Sequence, residues 1–344
     1  MFKIVYYYTS WSSRAKNFQV ENINEKSNNI VYGNWYINKI CKVSSTDSWI
    51  DYGDDFINMG GNFKKFKDLK SQKELYIELL FGNFENFNIS ISNDKLRNDL
   101  IINIIELIRK TNFLSGIVFD FRVISDLFTQ NDNINFELFL NKLRKAFNNN
   151  GLYEICINLI VTGIPEKCNY NILNISKIID KLYVMTSDYH DEYISIHHSN
   201  PRRSKYGNYS CEASVDCYLS KGVESEKIYI TCVLYSKGYS NTDGLGYPAD
   251  GISSDLSWEK GKVDYKDLPL KDTVELFDNE SKSAYTYDLK KRIFNSYDSV
   301  KSVIEKCKII KEKKLGGIFV NDISSDKDIN NPDNILNILA SYYQ

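Results

Sequence analysis

The apolar positions of this chain follow two rhythms that take turns. Short segments that are apolar throughout, or at every second position, recur eight times and read as strands: residues 3–8, 30–35, 75–84, 116–122, 153–161, 178–185, 227–239 and 316–322. Between them the period lengthens to that of a helix. The clearest case sets Leu96, Leu100, Ile101, Ile104, Ile105 and Ile108 on one stripe, and a second does the same with Phe136, Phe139, Leu140, Leu143 and Phe147. A shorter helix is expected over 62–72. Another follows Ser296-Tyr297-Asp298 as its cap and turns Val300, Val303, Ile304 and Cys307 inward. Strands alternating with helices predict a parallel sheet wrapped by helices. From about 240 to 288 the alternation breaks into polar pieces containing Gly244, Gly246 and Gly251.

Length and composition narrow the class. A chain of 344 residues suits one α/β barrel with an insertion. Its apolar fraction of 42% and charged fraction of 26% are those of a globular protein. A net charge of −2 argues against a nucleic-acid partner or electrostatic membrane attachment. No apolar run approaches the roughly 20 residues of a membrane span. Residues 1–8 read as a strand with no signal peptide ahead. This leaves a cytoplasmic location, export by another route, or a start at a mature end as open alternatives. Seven cysteines, an odd number without metal-type spacing, are expected mostly as buried thiols at Cys156, Cys232 and Cys307. Cys41 and Cys168 suggest no pairing, and only Cys211 and Cys217 are loop-like enough to pair.

The chemistry concentrates in Ser115-Gly116-Ile117-Val118-Phe119-Asp120-Phe121-Arg122. On a strand, Val118, Asp120 and Arg122 point the same way. This frame resembles the fourth-strand motif D-G-x-D-x-D-x-E of family 18 glycoside hydrolases, the chitinases. Gly116 and Asp120 match it, while Ser115, Val118 and Arg122 replace two aspartates and the glutamate. The resemblance continues in order along the chain. Thr9-Ser10-Trp11 follows the family's Y-Y-T-x-W opening, and Met185-Thr186-Ser187-Asp188-Tyr189-His190 its M-T-Y-D-x-H. Gly316-Gly317-Ile318-Phe319-Val320-Asn321 follows G-G-x-M-x-W.

The resemblance implies a (β/α)₈ TIM barrel with a small α+β insertion between strands 7 and 8. Residues 1–239 would hold strands 1–7, 240–288 the insertion, and 289–344 strand 8 with the closing helices. The disulfide that secreted chitinases often carry near the first strand has no counterpart, since Tyr6 and Asn28-Asn29 occupy its positions. The family's substrate-assisted hydrolysis is broken at several points. Arg122 stands where the glutamate donates its proton, and a guanidinium cannot do so at neutral pH. Loss of a general acid alone removes roughly 10²–10⁴-fold in rate. Asp120, which would orient the substrate acetamide, and Asp188 are retained. Ser187 replaces a tyrosine, and Asn321 replaces the tryptophan that floors the sugar pocket.

A barrel without hydrolysis is therefore expected, with no catalytic residue, cofactor or metal. It would serve as a binding or assembly subunit, as chitinase-like barrels do in toxin assemblies and pathogen effectors. Its partner would be a protein or an N-acetylglucosamine-containing glycan. Trp11, Trp35, Asp120, Asp188 and Tyr235 are the candidate ligand contacts, and Arg122 is expected to pair with Asp120, Asp188 or both. His190 beside Asp188 and Asp191 reads as structural. His197-His198 and Pro201-Arg202-Arg203 read as a solvated loop, and Glu192 lies beyond the strand end. The rival reading is an active glycosidase with relocated groups.

Overall fold

The computed structural model describes residues 2–343 apart from 24–26, 28, 55–58, 70–72, 123–128, 168–169 and 254–258. Cys168, Asn28 and the end of the 62–72 helix thus lie outside the described residues. Eight parallel strands close into a barrel: β1 Lys3–Thr9, β2 Asn29–Ile37, β3 Glu74–Leu80, β4 Gly116–Asp120, β5 Cys156–Thr162, β6 Lys181–Met185, β7 Ile228–Val233 and β8 Gly317–Asn321. Each strand pairs with its sequence neighbours, and β8 joins β1, so no barrel edge is left open.

Side-chain parity divides the core in two. Val5, Val31, Val118, Tyr183, Tyr229 and Phe319 point inward and fill the barrel, where the Tyr183 ring stacks on Phe319 at 4.7 Å. The alternate residues, such as Ile77, Leu79, Ile117 and Phe119, point outward into the helical layer. The two clearest sequence stripes become helices α1 Asp94–Thr111 and α2 Gln130–Asn149. Asn93 caps α1 by accepting from the Leu96 amide, and Thr129 with Asp132 forms a capping box on α2. All five predicted residues of the α2 stripe are fully buried. A later helix, α3, runs Cys211–Ser220, and α4 runs Val300–Lys313 from an N-cap at Ser299.

The structure departs from the sequence pattern in three places. The apolar run 227–239 is two strands. After β7 the chain leaves the barrel, and Tyr235–Tyr239 pairs antiparallel with Lys262–Asp264 and Ile293–Tyr297 in a separate five-stranded sheet. That sheet therefore spans Tyr235 to Tyr297, beyond the 240–288 expected for the insertion. Cys211 and Cys217 are free thiols within α3. Six helical residues separate two Cα atoms by about 9 Å along the axis, outside disulfide reach. His197 and His198 are buried rather than solvated. The loop that carries them packs under the insertion sheet, where His197 hydrogen-bonds Ser296 Oγ at 2.9 Å. Among the described residues no helix is long and apolar enough to cross a membrane.

Candidate functional site

The C-terminal ends of the strands surround a cleft of about 180 Å³. Tyr7 comes from β1, Asn321 from β8 and Arg122 from the residues just past β4, while Asp188 follows β6 and Tyr235 opens the insertion. Arg122 closes onto Asp120 with two nitrogens. Its Nε lies 3.0 and 2.9 Å from the two carboxylate oxygens, and a terminal nitrogen lies 2.6 Å from Oδ2. The Arg122 amide also donates to Asp120 Oδ1, at 2.9 Å. The aspartate side chain is 6% exposed and the arginine side chain 32%. Burial works against the guanidinium charge, but Asp120 outweighs it and holds Arg122 protonated above its ordinary range. A charge-assisted fork of this kind occupies both oxygens that an acetamide would need.

Beneath it lies a second carboxyl group that the motifs did not flag. Glu78, on β3, is fully buried and accepts from the Tyr7 hydroxyl at 2.5 Å. A Cβ on Gly33 of β2 would overlap both the Tyr7 hydroxyl and the Glu78 carboxyl, so only glycine fits there. Burial, then the negative charge of Asp120, raises the Glu78 pKa to about 8, against the lowering effect of Arg122 and Tyr7. The folded pKa lies above the unfolded one. The unfolded chain therefore binds fewer protons between these values, and stability falls as pH rises from about 4.5 to about 8. Glu78→Gln is expected to flatten this decline. Thermal unfolding midpoints of both proteins at about pH 5 and about pH 8 test it; the same fall in both would count against a neutral Glu78.

Asp188 does not reach Arg122. It takes the Lys237 ammonium at 2.9 Å and the Tyr235 hydroxyl at 3.0 Å, with His198 Nδ1 at 4.0 Å. Burial alone would raise its pKa, but Lys237 and the His198 side outweigh that and hold it well below the usual carboxylate range. His198 itself is pushed down to about 3 by burial, with Asp188 opposing. The aromatic faces at the mouth are covered from within. The Lys16 ammonium sits 5.2 Å from the Trp11 ring centroid, and Lys262 sits 4.7 Å from that of Tyr235. Lys16 also pairs with Asp264 at 2.9 Å, tying the loop after β1 to the insertion across the mouth.

The remaining predicted residues divide. Trp11, Arg122, Asp188, Tyr235 and Asn321 line the cleft. Ser187 is buried beside it. Val118 is sealed in the barrel core, one layer down. Ser115 precedes β4 at the opposite end of the barrel, where its amide bonds Leu75. Trp35, expected as a ligand contact, does not line the cleft. It is 2% exposed and stacks on Phe63 at 5.2 Å. The register of β2 against β3 shifts between Tyr32 and Trp35, so strand parity no longer carries Trp35 inward. Of the residues the motifs missed, Glu78 left a trace as a charge in the interior of an otherwise apolar strand, and Lys237 shares a face with Tyr235 by period two. Lys16 and Lys262 left none. No group of three His, Cys, Asp or Glu among the described residues is placed to hold a metal ion.

The geometry can be set beside known proteins. The family model "Glycosyl hydrolases family 18" matches residues 3–326. "Chitinase 1" of Aphanocladium album is 26% identical, over 93% of this chain and 81% of its own length. "Endochitinase 1" of Metarhizium robertsii is also 26% identical, over 96% and 82%. Among solved structures, the Group IV chitinase of Ostrinia furnacalis superposes with a TM-score of 0.87 over 99% of both chains, at 20% identity. Chitinase ChiA74 of Bacillus thuringiensis gives 0.88 at 19% identity, over 99% of this chain and 69% of that one. By this match along nearly its whole length, the chain belongs to glycosyl hydrolase family 18.

Proposed function

We propose that this family 18 barrel binds or assembles without cleaving. One observation carries the reading: the side chain at the family's proton-donor position is Arg122, locked onto Asp120 by a fork of 2.6–3.0 Å bonds. Hydrolysis by the substrate's own acetamide needs a proton for the leaving oxygen and a free carboxylate to orient the attacking carbonyl. Here the first is a permanent cation and the second is engaged by it. Two further features support the reading. Asn321 gives no aromatic floor, and the cleft of about 180 Å³ is smaller than the roughly 300–1,000 Å³ of ordinary ligand pockets. A mouth crossed by the Lys16–Asp264 and Lys237–Asp188 pairs favours a partner that meets the outside of the barrel over a polymer threading it.

A second reading, a glycosidase with relocated groups, rests on Glu78, a carboxyl raised to about 8 in the same charge cluster. It has the protonation state of a general acid, but it is fully buried behind Tyr7 and does not line the cleft. Incubation with the N-acetylglucosamine hexamer, read by mass spectrometry, separates the two. The non-hydrolytic reading expects the hexamer intact. Shorter products that vanish in Glu78→Gln would establish the alternative.

A further inference from the structure

We propose that the insertion carries a saccharide-binding cleft of its own, on a part of the molecule that shares no residue with the barrel mouth. The proposal rests on the non-hydrolytic reading and gives it a ligand class. The cleft measures about 430 Å³, within the range of ordinary ligand pockets where the mouth is not. Its aromatic walls are Tyr206, Tyr247, Tyr285 and Tyr287, with Phe277.

These rings are held in place by the structure around them. Tyr285 and Tyr287 stand two apart on the strand Ser283–Asp288, and so on one face. The Tyr285 ring packs on Phe294 at 5.3 Å and on His197 at 5.8 Å, and the Tyr287 hydroxyl donates to the Thr242 carbonyl at 2.9 Å. The Tyr206 ring lies directly on Gly246, whose φ of +81° and lack of a Cβ both require glycine. The loop bearing Tyr247 is pinned on both sides of Ser195: the Ser195 amide donates to the Tyr247 carbonyl at 3.0 Å, and the Gly246 amide to the Ser195 carbonyl at 2.9 Å. Tyr247 and Tyr206 nonetheless remain 53% and 38% exposed. Aromatic faces open to solvent on a pinned backbone, beside two anchored rings, are placed to bind.

The polar groups around the cleft choose among ligands. Asp243, Asn279, Glu280 and Lys205 share its lining. The chain's own cations already serve this region: Arg292 pairs with Asp243 at 3.0 Å, and the Lys205 ammonium lies 4.9 Å from the Tyr206 ring centroid. Asp278 is taken by the Ser281 hydroxyl at 2.6 Å. Two of the three carboxylates are thus engaged within the chain and Lys205 stands in the same wall, which favours a neutral ligand over a cationic one. A purely apolar ligand would strand the amide, carboxylate and ammonium groups without partners. A pyranose saccharide meets both demands. Its C–H face suits the tyrosine rings, and its hydroxyls both donate and accept along the edge.

Calorimetric titration of the whole chain with uncharged tetrasaccharides tests this. The probes are β-1,4-linked N-acetylglucosamine, β-1,4-glucose, α-1,4-glucose and β-1,4-mannose, with a tetralysine peptide as the cationic comparison. At least one sugar is expected to bind saturably. Tyr247→Ala, at an exposed position and expected to leave the thermal midpoint unchanged, is expected to weaken that binding about tenfold, and Tyr247→Phe to retain most of it. Three results would overturn the assignment: no saturable binding by any sugar, tighter binding by tetralysine, or binding abolished by Trp11→Ala and indifferent to Tyr247→Ala. Cleavage of a bound sugar tells against the non-hydrolytic reading alone, so the two failures are distinguishable.

Discussion

Lys306→Met is expected to destabilise this fold by about 3–5 kcal/mol, the range found when one partner of a buried ion pair is removed. Lys306 and Asp298 have side chains 0% and 2% exposed, with their charged atoms 2.6 Å apart. The ammonium uses its remaining donors on Ser199 Oγ and on the Thr231 carbonyl, both at 2.7 Å. It thereby joins α4, β7 and the loop after β6 beneath the mouth. Burial opposes the charge, but Asp298 outweighs it and raises the Lys306 pKa above its ordinary value. Methionine fills similar volume but leaves Asp298 buried with only the Val233 amide and the Ser199 hydroxyl, each at 3.1 Å. The double variant Lys306→Met/Asp298→Asn is expected to recover part of the loss, because no unpaired charge then remains. Urea unfolding of the three proteins measures this. A single variant as stable as the native chain would mean that the pair does not hold the fold.

The second large effect belongs to Arg122. Arg122→Ala leaves the buried Asp120 carboxylate with only the amide of residue 122 as donor. A loss of about 2–3 kcal/mol is expected, below the Lys306 effect because the arginine side chain is one-third exposed and its attraction partly screened. Arg122→Lys should recover little, since an ammonium cannot reproduce the two-nitrogen fork. Arg122→Glu is expected to destabilise most, because it places a third carboxyl group beside Asp120 and Glu78. Urea unfolding checks the order native, lysine, alanine, glutamate. A glutamate variant as stable as the native chain would show that the fork is incidental.

The barrel was legible in the sequence because inward and outward residues obey period two on strands, while α1 and α2 carry unbroken apolar stripes. The same parity placed Asp120 and Arg122 together, two residues apart on one face. What stayed hidden depends on contacts remote in sequence. Glu78 finds Tyr7 across 71 positions, and Asp188 finds Tyr235 across 47. Neither spacing leaves a local pattern. Trp35 lies away from the cleft because a register shift within β2 overrides parity. The sequence around His197 and His198 looks solvated because their polar neighbours are satisfied by a sheet that begins only at Tyr235. The second half of the 227–239 run resembles barrel strand for a related reason: a strand that changes sheets keeps its apolar alternation.

The central claim is that a cation paired to Asp120 has replaced the proton donor. Its most direct test is the initial rate on a fluorogenic N-acetylglucosamine disaccharide from about pH 4 to about pH 8, with the native chain and Asp120→Asn side by side. The account predicts that both stay at the rate of the enzyme-free blank throughout. Turnover by the native chain that disappears in Asp120→Asn would contradict it.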